Sequence, residues 1–176
     1  MSSTTRVAST QARSLAGTWH LDAEGSHARF TARTLAGLVK VPGVFHRLAG
    51  TMSFDERRTT GTLVIDAASI DTGNRLRDRH LRSSEFFGVS KHPELRYEAV
   101  SIVVDGPRVT IDGELLIAGT RIPLPLAGEL HHEADGVIAI ACRTRLDRIA
   151  AGVRGARGMV PRAVDLHVAV RLRRAP

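Results

Sequence analysis

Imidazole, carboxylate and guanidinium groups crowd into one stretch of the chain, Ser69 to Tyr97, and three kinds of chemistry can be asked of them. His80 with Asp78 or Asp71, plus Ser69, supplies the residue types of a hydrolytic set, in which a carboxylate orients an imidazole that takes a proton from a hydroxyl. Arg77 suits a phosphate or pyrophosphate head, because a guanidinium fork binds such oxygens in pairs. A metal could draw on His27, His46, His80, His92, His131, His132 or His167. None of these stands at the tight spacing of a strong site, and His131 and His132 point to opposite faces of a strand. No nucleophile elbow, P-loop, dinucleotide fingerprint or zinc-protease motif occurs. No catalytic residue, metal or cofactor is therefore assigned.

The element that must position these groups is a short helix, about Arg75 to Ser84, within a helical insert spanning about 74–87. At about 100° per residue, Leu76, Arg77, His80, Leu81 and Ser84 fall on one face, expected to look inward. Arg75, Asp78, Arg79 and Arg82 fall on the other, expected to look outward, with Asp78 and Arg82 as an i,i+4 ion pair. Thr72 or Asn74 can cap its start. Phe86 and Phe87 follow and point apart, one toward the core and one toward a cavity or a neighbouring strand.

Around this insert the chain reads as sheet. Ala28, Phe30 and Ala32 alternate with Arg29, Thr31 and Arg33, and Leu95, Tyr97 and Ala99 with Glu94, Arg96 and Glu98. Similar runs cover 108–117, 122–130, 137–146 and 164–172. Turn signals such as Asp105-Gly106-Pro107 separate them. Counting from Thr18 gives eight or nine strands with short links, hence antiparallel neighbours. Such a series closes most simply into an up-and-down barrel, with a β-sandwich as the competing arrangement. The one long loop runs from Ala150 to Pro161, is glycine-rich, and suits a rim or lid.

The 176 residues, 43% hydrophobic and 24% charged, fit one globular domain. Residues 1–17 read as a flexible tail without a signal-like apolar run, and 18–176 as the domain. Cys142 is the lone cysteine, which agrees with a reducing, cytoplasmic setting. The net charge of +7 comes entirely from the region after Cys142, where nine arginines face two aspartates. The run Gly152-Val-Arg-Gly-Ala-Arg-Gly158 has no aromatic to stack a base, so no specific nucleic-acid partner is expected.

The chain resembles the YceI-like family through Ser69-Ile-Asp-Thr-Gly-Asn74, Arg77-Asp-Arg-His-Leu-Arg-Ser83, Glu85-Phe-Phe87 and His92-Pro93. Trp19-His-Leu-Asp22 with Ser26 and Phe30, and Gly43-Val-Phe45 with Gly50 and Phe54-Asp55, extend the match. Gly25-Ser26 stands where the family usually has His-Ser. The resemblance implies an all-β, eight-stranded antiparallel, lipocalin-like barrel around an apolar tunnel, with the insert near the mouth and no catalytic activity. The function expected is binding, transport or storage of a long-chain amphiphile, with a polyisoprenoid lipid as the first candidate. The ligand-binding set is Phe30, Phe45, Phe54, Arg77, His80, Leu81, Phe86, Phe87, Leu95 and Tyr97. The alternative is a hydrolase or isomerase using His80. Partners considered are an isoprenoid or similar lipid, weak contact with an anionic membrane surface, and a second copy of the chain in a homodimer.

Overall fold

The computed structural model describes residues 15–34, 37–55, 59–156 and 159–176. Wherever apolar and polar residues alternate, the backbone is extended. The strands are β1 (Gly17–Thr34), β2 (Val39–Phe45), β3 (Leu48–Phe54), β4 (Thr59–Asp66), β5 (Ile70–Asp71), β6 (Glu94–Asp105), β7 (Arg108–Ile117), β8 (Thr120–Pro123), β9 (Leu126–His132), β10 (Val137–Asp147) and β11 (Ala163–Arg174). One α-helix, α1 (Arg75–Arg82), separates β5 from β6. The stretch expected as one strand over 122–130 is two, β8 and β9, because Leu124 and Pro125 leave the ladder.

Eight strands close the barrel. Each of β1, β3, β4, β6, β7, β9, β10 and β11 pairs antiparallel with the next, and β11 returns to β1. The register of the seam runs from Trp19 opposite Arg174 to Thr31 opposite Asp165, with a shift between Asp22 and His27. That irregularity bends β1. Its first residues pair with β3, Gly17 opposite Phe54, and its last pair with β2, Ala28 opposite Phe45. Ser26 fixes the bend: its Oγ donates to Asp22 O at 2.6 Å and accepts from Arg171 N at 3.0 Å. The three remaining strands lie off the closed circuit, β2 and β5 beyond β1 and β8 beside β7.

Of the tail expected over residues 1–17, residues 1–14 lie outside the described residues. Leu15, within that range, is 1% exposed, and its carbonyl accepts a hydrogen bond from Trp19 Nε1 at 2.8 Å. The core runs through the barrel interior as one cluster that includes Trp19, Phe54, Tyr97, Ile111, Ile138 and Leu172.

Candidate functional site

At one end of the barrel the interior is not filled. A cavity of about 370 Å³ opens there, lined by inward residues of the barrel strands, of α1, of the turn after it, and of the loop after β10. Four of its lining residues, Leu63, Tyr97, Leu126 and Val168, also line a smaller space of about 60 Å³ that reaches toward Met52, Ile140 and Leu172. The alternation that makes each strand two-faced thus produces an apolar tube, since every second residue of eight strands points into it.

Nine of the ten residues expected to bind ligand line the larger space: Phe30, Phe45, Arg77, His80, Leu81, Phe86, Phe87, Leu95 and Tyr97. The rings of Phe30 and Phe45 lie 5.9 Å apart, and Phe87 meets Phe45 edge-on at 5.7 Å. Phe54 lines neither space. It pairs with Gly17 and Thr59 where β3 ends, and is plain core. Deeper in, Tyr97 adds a polar group to the wall that the two spaces share. Its hydroxyl donates to Leu124 O at 3.0 Å, and burial pushes the phenol well above its ordinary ionisation range. Burial likewise raises the Cys142 thiol to about 11, so both remain neutral.

The helix owes its existence to its ends. Asn74 caps it, its side-chain oxygen accepting from Leu76 N at 3.1 Å and Arg77 N at 3.0 Å. Its faces differ from the helical-wheel expectation. Asp78 is 6% exposed, and its Oδ1 accepts from Thr72 N at 2.9 Å and Thr72 Oγ1 at 2.6 Å. Arg82 donates to Ala68 O and Ile70 O. The expected ion pair between Asp78 and Arg82 does not form, because each finds backbone partners in the segment leading into the helix. Rotating that face inward turns Leu76 out, and it is 74% exposed. Arg77, His80 and Leu81 do reach the cavity.

Arg77 commits two of its five donors to Thr72, Nε to Oγ1 and one terminal nitrogen to the carbonyl, both at 2.8 Å. It makes no ion pair among the described residues. His80 Nε2 lies 2.9 Å from Glu85 Oε2, and its ring stands edge-on to Phe86 at 5.0 Å. The hydrolytic set is dispersed: Ser69 Oγ donates to Asp66 O, Asp71 holds Gly73 N and faces His46, and Asp78 holds Thr72. No group of three or more metal-ligating side chains occurs among the described residues.

The opposite side of the mouth comes from the long loop. Val153, Ala156, Met159 and Val160 line the cavity, so the loop is a rim; residues 157–158 lie outside the described residues. Its anchor is Arg148, 5% exposed, which sequence reasoning left among the C-terminal arginines. It donates to the carbonyls of Val153, Gly155, Val160 and Pro161 at 2.7 to 3.0 Å. A single buried arginine is indistinguishable in type from its neighbours; the signal was its place just before a glycine-rich run. The two rims touch where Phe86 covers Gly155: a Cβ there would fall 2.5 Å from the Phe86 ring.

The chain matches the YceI-like domain over residues 19–172. It is 36% identical over 126 residues to a UPF0312 protein of Pectobacterium atrosepticum, covering 69% of this chain and 65% of that one. It is 32% identical over 125 residues to Protein YceI of Escherichia coli O157:H7, with the same coverage. The matched region thus spans just under two thirds of those relatives. Among solved structures, BcnA of Burkholderia cenocepacia superposes with a TM-score of 0.77 at 16% identity over 86% of this chain and 98% of that one. A polyisoprenoid binding domain of Saccharophagus degradans gives 0.76 at 16% identity over 89% and 98%. Both show the same barrel. With its barrel, its insert and this sequence match, the chain belongs to the YceI-like family.

Proposed function

We propose that the protein binds one long-chain amphiphile, a polyisoprenoid lipid being the first candidate, and carries or stores it in the barrel. The observation that carries this reading is the cavity of about 370 Å³, whose wall is almost wholly aliphatic and aromatic. Each buried CH₂ group contributes roughly 0.8 kcal/mol, so a chain threaded through such a tube is held without specific contacts. The volume lies near the low end of the range for small-molecule pockets, which favours a single slender chain over a bulky ring system. Arg77 and His80, at the mouth, suit a polar head left outside the apolar part. The polyisoprenoid named for the Saccharophagus degradans domain supports this choice of chain. The reading is of binding without turnover, since Ser69, Asp71 and Asp78 are each engaged away from His80.

Native mass spectrometry of protein purified from its own host tests it. A co-purified lipid of several hundred daltons, displaced by an added isoprenoid, is the expected result. Protein that is empty throughout and ignores added isoprenoids overturns it.

A further inference from the structure

The face of α1 that carries Asp78 and Arg82 borders a second concavity, an open cleft of about 640 Å³ between the helix, the β2–β3 link and β5. It is unlike the barrel cavity, because charged side chains make up most of its lining. Arg47, Arg75, Arg79 and Arg82 line it together with His46. Two carboxylates are present, Asp71 and Asp78, but both are engaged. Asp78 accepts from Thr72, and Asp71 accepts from Gly73 N at 2.7 Å and faces His46 Nε2 at 3.3 Å. The Gly73 amide first, then His46, hold the Asp71 carboxyl below its usual range, as expected of a satisfied anion.

Two of the arginines are held in place. Arg82 is pinned to Ala68 O and Ile70 O, and Arg47 pairs with Asp66 at 2.6 Å. Arg75 and Arg79 are different: they sit one helical turn apart on the same face, about 5–6 Å between Cβ atoms, and neither has a carboxylate within ion-pair distance among the described residues. Arg75 also occupies the first helical position, where a cation opposes the helix dipole. No ion pair among the described residues offsets that placement. A ligand with several oxygens and more than one negative charge would.

We propose that this cleft is a binding site for a phosphate-type oxyanion, held between the free guanidiniums of Arg75 and Arg79 and the anchored one of Arg82. Phosphate fits better than carboxylate because three forks offer more donors than two oxygens can use. The cleft leaves room for whatever the phosphate is attached to. Cleft and cavity use different residues of α1, Arg75, Asp78, Arg79 and Arg82 for the one and Arg77, His80 and Leu81 for the other.

The experiment is a titration of the full chain with inorganic pyrophosphate, followed by amide chemical shifts or calorimetry. Wild-type protein and the exposed-site variant Arg108→Ala should bind saturably and equally. The double variant Arg75→Ala/Arg79→Ala, whose changes are both at exposed positions, should keep its melting temperature and bind about tenfold or more weakly. Absence of saturable binding, or equal binding by the double variant, overturns the proposal. Vesicles of phosphatidylglycerol, compared with phosphatidylcholine, then separate the sources. Retention on the anionic vesicles that is lost in the double variant identifies a lipid head group, and pyrophosphate binding without vesicle retention identifies a soluble phosphate ester. Vesicle retention with no pyrophosphate binding overturns the built site in favour of diffuse charge. Loading the cavity with isoprenoid should leave all these results unchanged, which keeps this test separate from that of the lipid reading.

Discussion

Arg148 shows how one side chain can set the shape of a cavity mouth. Four loop carbonyls converge on it, and each is satisfied there by a charged donor. Truncation to Arg148→Met removes the donors and strands buried carbonyls, at a cost of about 1–3 kcal/mol for each group left unsatisfied. The loop is expected to detach before the barrel melts. Hydrogen exchange should therefore accelerate over 148–162 while the amides of β4 and β6 stay protected, and the melting temperature should fall. Arg148→Lys is not expected to restore the loop, because an ammonium cannot span carbonyls that a planar fork reaches. Rescue by lysine would show that charge, not geometry, holds the rim. Asp78 makes a parallel case on the facing rim: Asp78→Asn weakens the acceptor for Thr72 N and Oγ1 and should loosen the start of α1, read as lost helical protection over 75–82.

At the scale of elements, the barrel closes where β1 meets β11, and the outer face of that seam carries a concentration of positive charge. The register puts Arg29 opposite His167 and His167 opposite Arg143, with His27 one step along β1. The two imidazole rings lie 5.7 Å apart. Both are held below the ordinary value of 6.5, first by burial, then by Arg29 for His27 and by Arg143 and Arg29 for His167. A histidine whose folded pKa is depressed lets the unfolded chain bind more protons. Its contribution to stability is complete above the unfolded value and is lost as pH falls below it. The melting temperature should therefore drop as pH is lowered from about 7.5 to about 5.5, and His27→Gln/His167→Gln should flatten that slope. An unchanged slope in the double variant would place the acid sensitivity elsewhere. The strands themselves were legible in the sequence, because a period of two leaves little choice: β7 spans the expected 108–117. The helix faces were less so. A wheel assigns the inward side by hydrophobicity, whereas α1 is oriented by Asp78 and Arg82 reaching back to Thr72, Ala68 and Ile70, contacts that exist only once the insert folds on itself. The loop from 150 to 161 was legible as a rim or lid from its length and glycines, whereas its anchoring by Arg148 was not, since that runs through carbonyls, which no side-chain pattern records.

For the whole molecule, the unfilled end of the barrel sets packing against binding. Walls of an empty apolar space lose the dispersion contacts that a filled core would have, so stability is given up unless something occupies it. Filling it covalently and filling it with ligand should then be alternatives. Val168 is suited to the test because it lines both spaces, with the small side chains of Ala28 and Cys142 opposite it on the two neighbouring strands. Val168→Phe adds a ring where the space narrows and should raise the melting temperature of the empty protein by a few degrees, as cavity-filling substitutions commonly do. The same variant should no longer gain stability from an added isoprenoid, whereas the wild type should gain about 2.7 kcal/mol at a hundredfold excess over the dissociation constant. A variant that melts lower yet still takes up the lipid would mean that the barrel expands around its ligand and that the space seen at rest is not the one that binds. A variant that is stabilised and deaf to lipid ties uptake to this cavity and leaves the arginine cleft behind α1 free to be measured alone.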